Sequence, residues 1–401
     1  MAGSVAIVGA GIGGLSLALS LEARGVPVTV YERAAELREV GAAVALSANG
    51  LRPLAELGLL DRLEEVATQP TELIHRGWRT HDRITAFPVG IDGSYRDRFG
   101  APYLGIHRAE FQRVLAGACP AGLIRLGTEV TGVTDHGDHV SLALAGGETA
   151  TASVVVGADG VHSRLRSVID PEARPAYTGT SGFRGLVPTA DLPSLPDPQA
   201  IQFWMGPDAH LLHYAIGADA GTVNFLAVLE GPDAWTAGAG PATAAPGTLA
   251  AAFEGWAPAV REMVTAVPQS DHWPLYTLPP LSRWSRGRVV LLGDAAHTML
   301  PHHGQGANQS IEDAAVLSDV LAAPGVLTGR HDDAFARYER LRRSRTRQVQ
   351  RSSLVTSELL HLPDGPDAAA RDARLADLDP WLTWIHGTDA RTHTRPTGVP
   401  A

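Results

Sequence analysis

The chain has 401 residues, 44% of them hydrophobic, and a formal net charge of -10. All 33 Lys/Arg positions are arginine, which excludes a Schiff base to pyridoxal phosphate or a carbonyl, a Walker phosphate loop and a protein-kinase ATP site. The acidic balance argues against a nucleic-acid partner, and the single Cys119 excludes an intramolecular disulfide and any multi-cysteine metal site. No apolar run reaches the roughly 18 to 20 residues of a membrane span. The N-terminus has no basic leader, so the expectation is a cytoplasmic protein with no membrane partner.

In chain order, Val5–Val8 reads as a buried parallel strand, Leu15–Leu21 as a helix ending near Gly25, and Val26–Val30 as a second strand stopping at Tyr31-Glu32-Arg33. That is a βαβ unit. A helical stretch follows over Ala48–Leu63. From about Thr71 to Gly100, and from Pro175 to Arg283, short mixed runs broken by Gly, Pro and Asp read as antiparallel sheet. Arg108–Ala118 looks helical, and Val140–Leu144 and Ser153–Val156 look like strands. Ala237–Gly247 reads as a loop, Arg288–Leu292 as a strand and Ser310–Ala322 as a helix. Asp333–Leu360 is a long helix loaded with arginine, read as a solvated face. The last dozen residues are expected to fray.

Gly9-x-Gly11-x-x-Gly14 sits between the first strand and helix. Gly9 allows the tight turn, Gly11 lets a pyrophosphate approach the backbone, and Gly14 lets helix and strand pack. The helix N-terminus then faces the anion. Glu32, 18 residues past Gly14, is placed to bind ribose hydroxyls. A dinucleotide is the reading, against a glycine-rich packing turn; NAD and FAD are not separated by this motif. Two later segments carry more: Val154-Val155-Val156-Gly157-Ala158-Asp159-Gly160 running on to Arg166, and Val289-Val290-Leu291-Leu292-Gly293-Asp294-Ala295-Ala296-His297. Each alone could be a strand followed by an Asp N-cap.

In this order and spacing, the three motifs resemble those of the class A flavoprotein monooxygenases, the aromatic-ring hydroxylases, over roughly residues 4 to 360. The resemblance implies an α/β fold: a Rossmann-like FAD-binding domain, an interleaved antiparallel-sheet substrate domain and a C-terminal helical segment. The divisions expected are 1–70, 101–174 and 286–325 for FAD, 71–100 and 175–285 for substrate, and 326–401 for the helical region and tail. It implies that Gly9, Gly11, Gly14, Leu15 and Glu32 hold the ADP half of FAD, with Arg33 and Val130 around the adenosine and Arg108 near the pyrophosphate. Asp159-Gly160 would serve both FAD and a passing NADH or NADPH. Asp294 would take the ribityl chain. Pro301, Gly306, Ala307 and Asn308 would surround the isoalloxazine, where the N-terminus of the following helix favours the anionic reduced ring.

Trp204-Met205-Gly206-Pro207-Asp208-Ala209-His210-Leu211-Leu212-His213-Tyr214 looks like the branch acting on salicylate, 3-hydroxybenzoate and 6-hydroxynicotinate. It implies His210 and Tyr214 over the ring pocket; four apart on a strand, they share a face. The alternative is a buried, hydrogen-bonded pair. Ser47, in the segment from Gly41 and Ala42 onward, stands where the hydroxynicotinate enzymes carry His. His302 and His303 are adjacent with no ligand set nearby, so no metal is expected. The expected activity is single-component: NADH or NADPH reduces FAD, dioxygen adds to the reduced flavin, and OH passes to a phenol or aminophenol. The expected assembly is a monomer or homodimer. An FAD epoxidase or oxidase of a polyketide or quinone, and a nonenzymatic dinucleotide sensor, remain alternatives. With no lysine, an acidic substrate must be clamped by Arg, His or backbone; His210, His302 and Arg184 are the candidates.

Overall fold

The computed structural model describes residues 3–37, 43–90, 92–238, 240–267 and 271–392. Gly41, Ala42 and the tail from residue 393 lie outside the described residues.

The βαβ pattern builds the first sheet. Val5–Val8 pairs in parallel with Val28–Tyr31 on one side and Val154–Gly157 on the other, and Val289–Leu291 continues the sheet in parallel. Ile124–Arg125 and the antiparallel Ser285–Arg286 complete six strands. The valine runs are buried because helices and a second layer cover both faces. Helix Ile12–Glu22 packs on Val28–Tyr31 and against helix Gln305–Leu321, which buries all of it but Glu22. Val8, Gly157 and Leu291 end side by side in register. The three glycine motifs therefore meet at the carboxyl edge of one parallel sheet, where open α/β folds place ligands.

The second sheet has eight strands, ordered Ala242–Thr243, Asp271–Thr277, Ala176–Pro188, Thr222–Glu230, Ala209–Ile216, Ile201–Gly206, Glu72–Gly77 and Arg83–Pro88. It departs once from the antiparallel expectation: Ile201–Gly206 runs parallel to Glu72–Gly77. The Glu72–Pro88 hairpin comes from a distant chain segment, so no tight turn imposes the opposite sense. Its back face is covered by Phe253, Trp256 and Met263 around helices Thr248–Ala252 and Pro258–Thr265. Those helices, and Ser94–Phe99 between left-handed Gly93 and Gly100, are too short to show a helical period in sequence. The expected Ala48–Leu63 helix is two, Ala48–Glu56 and Leu60–Glu64, divided at Gly58 with φ +71°. The Ala237–Gly247 segment contributes the two-residue edge strand Ala242–Thr243.

Helices His331–Leu360, Pro366–Leu375 and Asp379–His386 form the C-terminal layer. The long one corrects the reading of a solvated arginine face. Arg337, Arg340, Arg347 and Arg351 are exposed, but Arg342 is buried. Its Nε donates to Asp313 (2.7 Å), and its terminal nitrogens reach Glu312 and Gln309. Arg345 donates to both oxygens of Glu312 at 2.8 Å. Helix Gln305–Leu321 turns Glu312 and Asp313 toward this layer, and two buried carboxylates require buried cations opposite. A sequence pattern cannot show which arginine meets them.

Candidate active site

A cavity of about 890 Å³ reaches from the carboxyl edge of the six-stranded sheet to the face of the eight-stranded one. No helix among the described residues is long and apolar enough to cross a membrane. Among the same residues, no group of three or more His, Cys, Asp or Glu is arranged to hold a metal.

The glycine end fits a bound dinucleotide. Gly9 has φ +108°, and a Cβ there would stand 2.4 Å from the Ala158 carbonyl oxygen; one on Gly14 would stand 2.1 Å from that of Gly9. Only glycine allows this packing. At Gly11 and Gly306 an added Cβ would meet nothing within 4 Å, and both residues line the cavity. Bare backbone faces open space there, which is what a pyrophosphate and a flat ring need. The Glu32 carboxylate accepts from the Ala10 and Ala34 N–H groups at 2.8 and 2.9 Å. That fixes it at the strand end with lone pairs left for a ribose. Leu15 and Val130 are core residues, Arg33 is exposed, and Arg108 lines the cavity.

The two aspartate motifs behave differently. Asp159 accepts from Ser163 Oγ (2.6 Å) and from the Arg164 and Leu165 N–H groups, so it caps its own turn. Gly160 and Val161, not the carboxylate, line the cavity. Asp294 lines it directly and could accept from a ribityl hydroxyl. Arg166, which closed the Asp-Gly segment in sequence, joins the two motifs. Its buried guanidinium donates to the carbonyls of Ala295 (2.8 Å), Val161 (2.8 Å) and Asp294 (3.1 Å). Asp313 accepts from the Gly293 N–H (3.1 Å) and pairs with His297 Nε2 at 2.5 Å, holding the Gly-Asp turn from behind. Replacing Asp294 with Ala should weaken FAD retention about 10- to 100-fold, the worth of a hydrogen bond to a charged group. Full flavin content after gel filtration would remove Asp294 from the cofactor.

Pro301–His303 is a single 3-10 turn ended by Gly304 at φ +61°, and helix Gln305–Leu321 begins there, one turn earlier than its sequence pattern. Asn308 does not reach the cavity. Its amide donates to Ala45 O (3.0 Å) and Gly304 O (2.7 Å) and accepts from the Ser47 N–H (3.1 Å), clamping strand Ala43–Leu46 to the helix start. Ser47 is likewise turned inward: its Oγ donates to Asn49 (2.6 Å) and accepts from Gln305 (3.0 Å). Pro301, Gly306 and Ala307 are on the wall.

Across the eight-stranded sheet the wall carries Arg184, Asn224, Tyr214, Phe203 and His75. Tyr214 and Asn224 are direct register partners. Burial raises the Tyr214 phenol and Tyr103 adds to it, while Arg184 and Arg108 pull it back. Arg184 stacks over Trp273 at 5.5 Å. His210 shares the Tyr214 face but is not on the wall. Its Nδ1 pairs with His361 Nε2 (2.8 Å), and its ring meets His302 edge-on at 4.9 Å. His302 is on the wall, buried, with neither ring nitrogen partnered. Burial, helped by His303 and His361, holds it down at about 3. His75, Tyr103, Phe203 and Asn224 were not legible as site residues: each sits in an ordinary strand pattern or the loop before one, and only sheet order turns them toward the cavity.

The family model described as "FAD binding domain" matches residues 3–353. The 3-amino-4-hydroxybenzoate 2-monooxygenase PtmB3 of Streptomyces platensis is 40% identical over 389 residues, covering 96% of each chain. The chain belongs to the class A FAD-dependent aromatic hydroxylases. The 6-hydroxynicotinate 3-monooxygenase of Bordetella bronchiseptica is 35% identical over 87% of this hydroxylase and 90% of its own length. Among solved structures, a salicylate hydroxylase substrate complex superposes with a TM-score of 0.84 at 28% identity, covering 98% and 97% of the two chains. The hydroxylase binds FAD and inserts oxygen into an activated aromatic ring, as its motifs led one to expect.

Proposed function

We propose that the ring is an aminohydroxybenzoate or a closely related hydroxy acid, of the kind named for the 3-amino-4-hydroxybenzoate 2-monooxygenases that are 40 to 41% identical. The observation that carries this is the charge of the cavity. Its wall holds five arginines, Arg108, Arg184, Arg351, Arg371 and Arg374, against the two aspartates Asp294 and Asp377, in a protein of net charge -10. The wall histidines His75, His302 and His303 are all held neutral at pH 7 by burial. An acid is attracted there by arginine alone.

FAD, when bound, takes electrons from NADH or NADPH and supplies the activation of dioxygen. The chain's own residues do the rest. Gly11 and Gly306 admit the cofactor, Glu32 and Asp294 accept its hydroxyls, and the sheet face excludes water from the ring pocket. Tyr214 positions the phenol, and Arg184 takes the carboxylate. Neutral His302, with both nitrogens open, accepts a hydrogen bond from the phenol or donates one to the ring substituent. His210 acts through His302, since His361 occupies its own Nδ1. A cytoplasmic monomer or homodimer is the setting in which NADH and NADPH are at hand.

The test is NADH or NADPH consumption with a panel of amino-, hydroxy- and dihydroxybenzoates and 6-hydroxynicotinate, followed by product mass. The supporting result is consumption matched by a product that has gained one oxygen atom, with the carboxylate kept or released as carbon dioxide; consumption that yields only hydrogen peroxide would reject that ring. In Tyr214→Phe, turnover of the phenol should fall about 100-fold with FAD content unchanged. Unaltered turnover would take Tyr214 out of the site.

A further inference from the structure

The same cavity has a second end, away from the glycine motifs. Beyond His303, its wall passes to the long helix at Arg351, Val355 and Thr356, and to the C-terminal helices at Arg374, Leu375 and Trp381. Arg351, Arg374 and Val355 are exposed, Val355 at 48%, so this end opens to solvent. His303 stands between the two ends: its Nε2 bonds Ser352 (2.9 Å) and its ring meets that of Trp381 at a tilt, with centroids 4.9 Å apart. The opposite end, at Gly11, Gly14 and Gly160, is the one whose glycines fit a dinucleotide.

We propose that the opening between the long helix and the C-terminal helices is the port through which the anionic aromatic substrate enters and product leaves. This rests on the reading of the substrate as an aromatic acid. The chemistry of the rim matches such a molecule. Val355, Leu359, Leu375 and Trp381 offer an apolar track for a ring. Arg351 and Arg374 offer exposed positive charge, with Arg371 behind them. The rim is not uniformly basic: Arg371 is paired with Asp372 (2.8 Å), and Asp377 also lines the port. The exposed pair Arg351 and Arg374 therefore provides the attraction. In a chain of net charge -10 a local positive mouth counters the general repulsion of an anion and concentrates it at one place. One wall of the port is built from residues after 353, outside the span matched by the family model, so this segment adds the entrance to a cofactor site made by the rest of the chain.

A port and a binding subsite differ kinetically. Narrowing a port slows entry and exit together, whereas damage to a subsite changes affinity. The probe is 3-amino-4-hydroxybenzoate, or whichever acid of the panel perturbs the flavin fluorescence of the holoenzyme, mixed by stopped flow at low and high salt. In Val355→Trp, association and dissociation rates should both fall about tenfold with the dissociation constant held. In the double variant Arg351→Glu with Arg374→Glu, association of the acid at low salt should fall at least tenfold, the lower bound of electrostatic steering. Its salt dependence should vanish or reverse, while the carboxamide analogue binds at an unaltered rate. A changed dissociation constant in Val355→Trp, carried by the dissociation rate with association unchanged, would make this a subsite. Unchanged association and salt dependence in the charge-reversed holoenzyme would overturn the port. Arg351→Gln, a milder change at an exposed position, removes a quarter of the charge that the double variant reverses, should slow association in proportion, and serves if the double variant loses FAD. If no acid perturbs the unaltered holoenzyme, the substrate reading fails, and that outcome is separate from the port's.

Discussion

Replacing Arg342 by Ala is expected to destabilise the protein by about 3–5 kcal/mol, the range for breaking a buried ion pair from one side. Its guanidinium lies between two fully buried carboxylates, donating to Asp313 at 2.7 Å and to Gln309 Oε1 at 2.8 Å, and pairing with Glu312. Burial pushes the Glu312 carboxyl up, and Arg342 with Arg345 outweighs it, leaving the group at about 2. Asp313 is pushed up by burial in the same way and brought down by His297 and Arg342. Without Arg342, Asp313 keeps only His297 and the Gly293 N–H. The damage should spread to the cofactor site, because Asp313 holds Gly293 and Glu312 receives Asn49 at 2.6 Å beside Gln305. Thermal unfolding of the holoenzyme, followed by far-UV circular dichroism and flavin release, measures both effects. A melting point within one or two degrees of the parent would show that the cluster contributes no net stability. Arg345→Ala should cost less, since Arg342 remains against Glu312.

The second large effect is acid lability. Burial holds His75, His213, His302 and His386 at about 3 and His303 at about 4. Unfolded, each returns to about 6.5. Between those values the unfolded chain binds more protons than the folded one, so stability falls as pH drops from about 6.5 toward 3. Each histidine contributes a slope of roughly 1.4 kcal/mol per pH unit where it is charged only when unfolded. The Glu312 carboxyl acts in a lower window, because its stabilising charge is lost only as pH falls below about 4 toward 2. The histidines therefore set the acid limit. The holoenzyme should unfold above pH 4, with its melting point falling steadily from pH 6.5 downward. A melting point flat from pH 7 to 4.5 would reject this. His213 separates the effect from catalysis: it is fully buried on the sheet face away from the cavity, with neither ring nitrogen partnered. His213→Leu should move the acid midpoint downward without touching the site.

The same burial shapes the activity. None of the wall histidines titrates near neutrality, so a pH dependence of turnover between 6 and 9 reports the substrate's own phenol or amine. Tyr214, raised by burial, adds nothing in that range.

How much of this was readable in advance differs from one element to the next. The nucleotide-binding strands were legible because each ends in a motif whose glycines have a single mechanical use. Gly9 and Gly14 are bound by contacts under 2.5 Å to a hypothetical Cβ, and such constraints leave a sequence mark. Asp294 lines the cavity, whereas Asp159 serves as the cap of its own turn, a use its sequence context shares equally. The alternation on Ala209–Ile216 put His210 and Tyr214 on one face, but it could not show His361, 151 residues away, covering the first of them.

The sequence by itself determined the parallel sheet, the glycine motifs at its carboxyl edge, the family and the exclusion of lysine chemistry, because these depend on local backbone requirements and on residue types present or missing. Tertiary structure alone decided which arginine is buried, that Ser47 and Asn308 brace a strand and do not line the cavity, and that His75 and Asn224 do. It also decided that the C-terminal helices wall one end of the cavity. These are matters of which distant surfaces meet. A side chain's hydrogen-bond partners and its exposure follow from that meeting, and no local pattern of residues carries it.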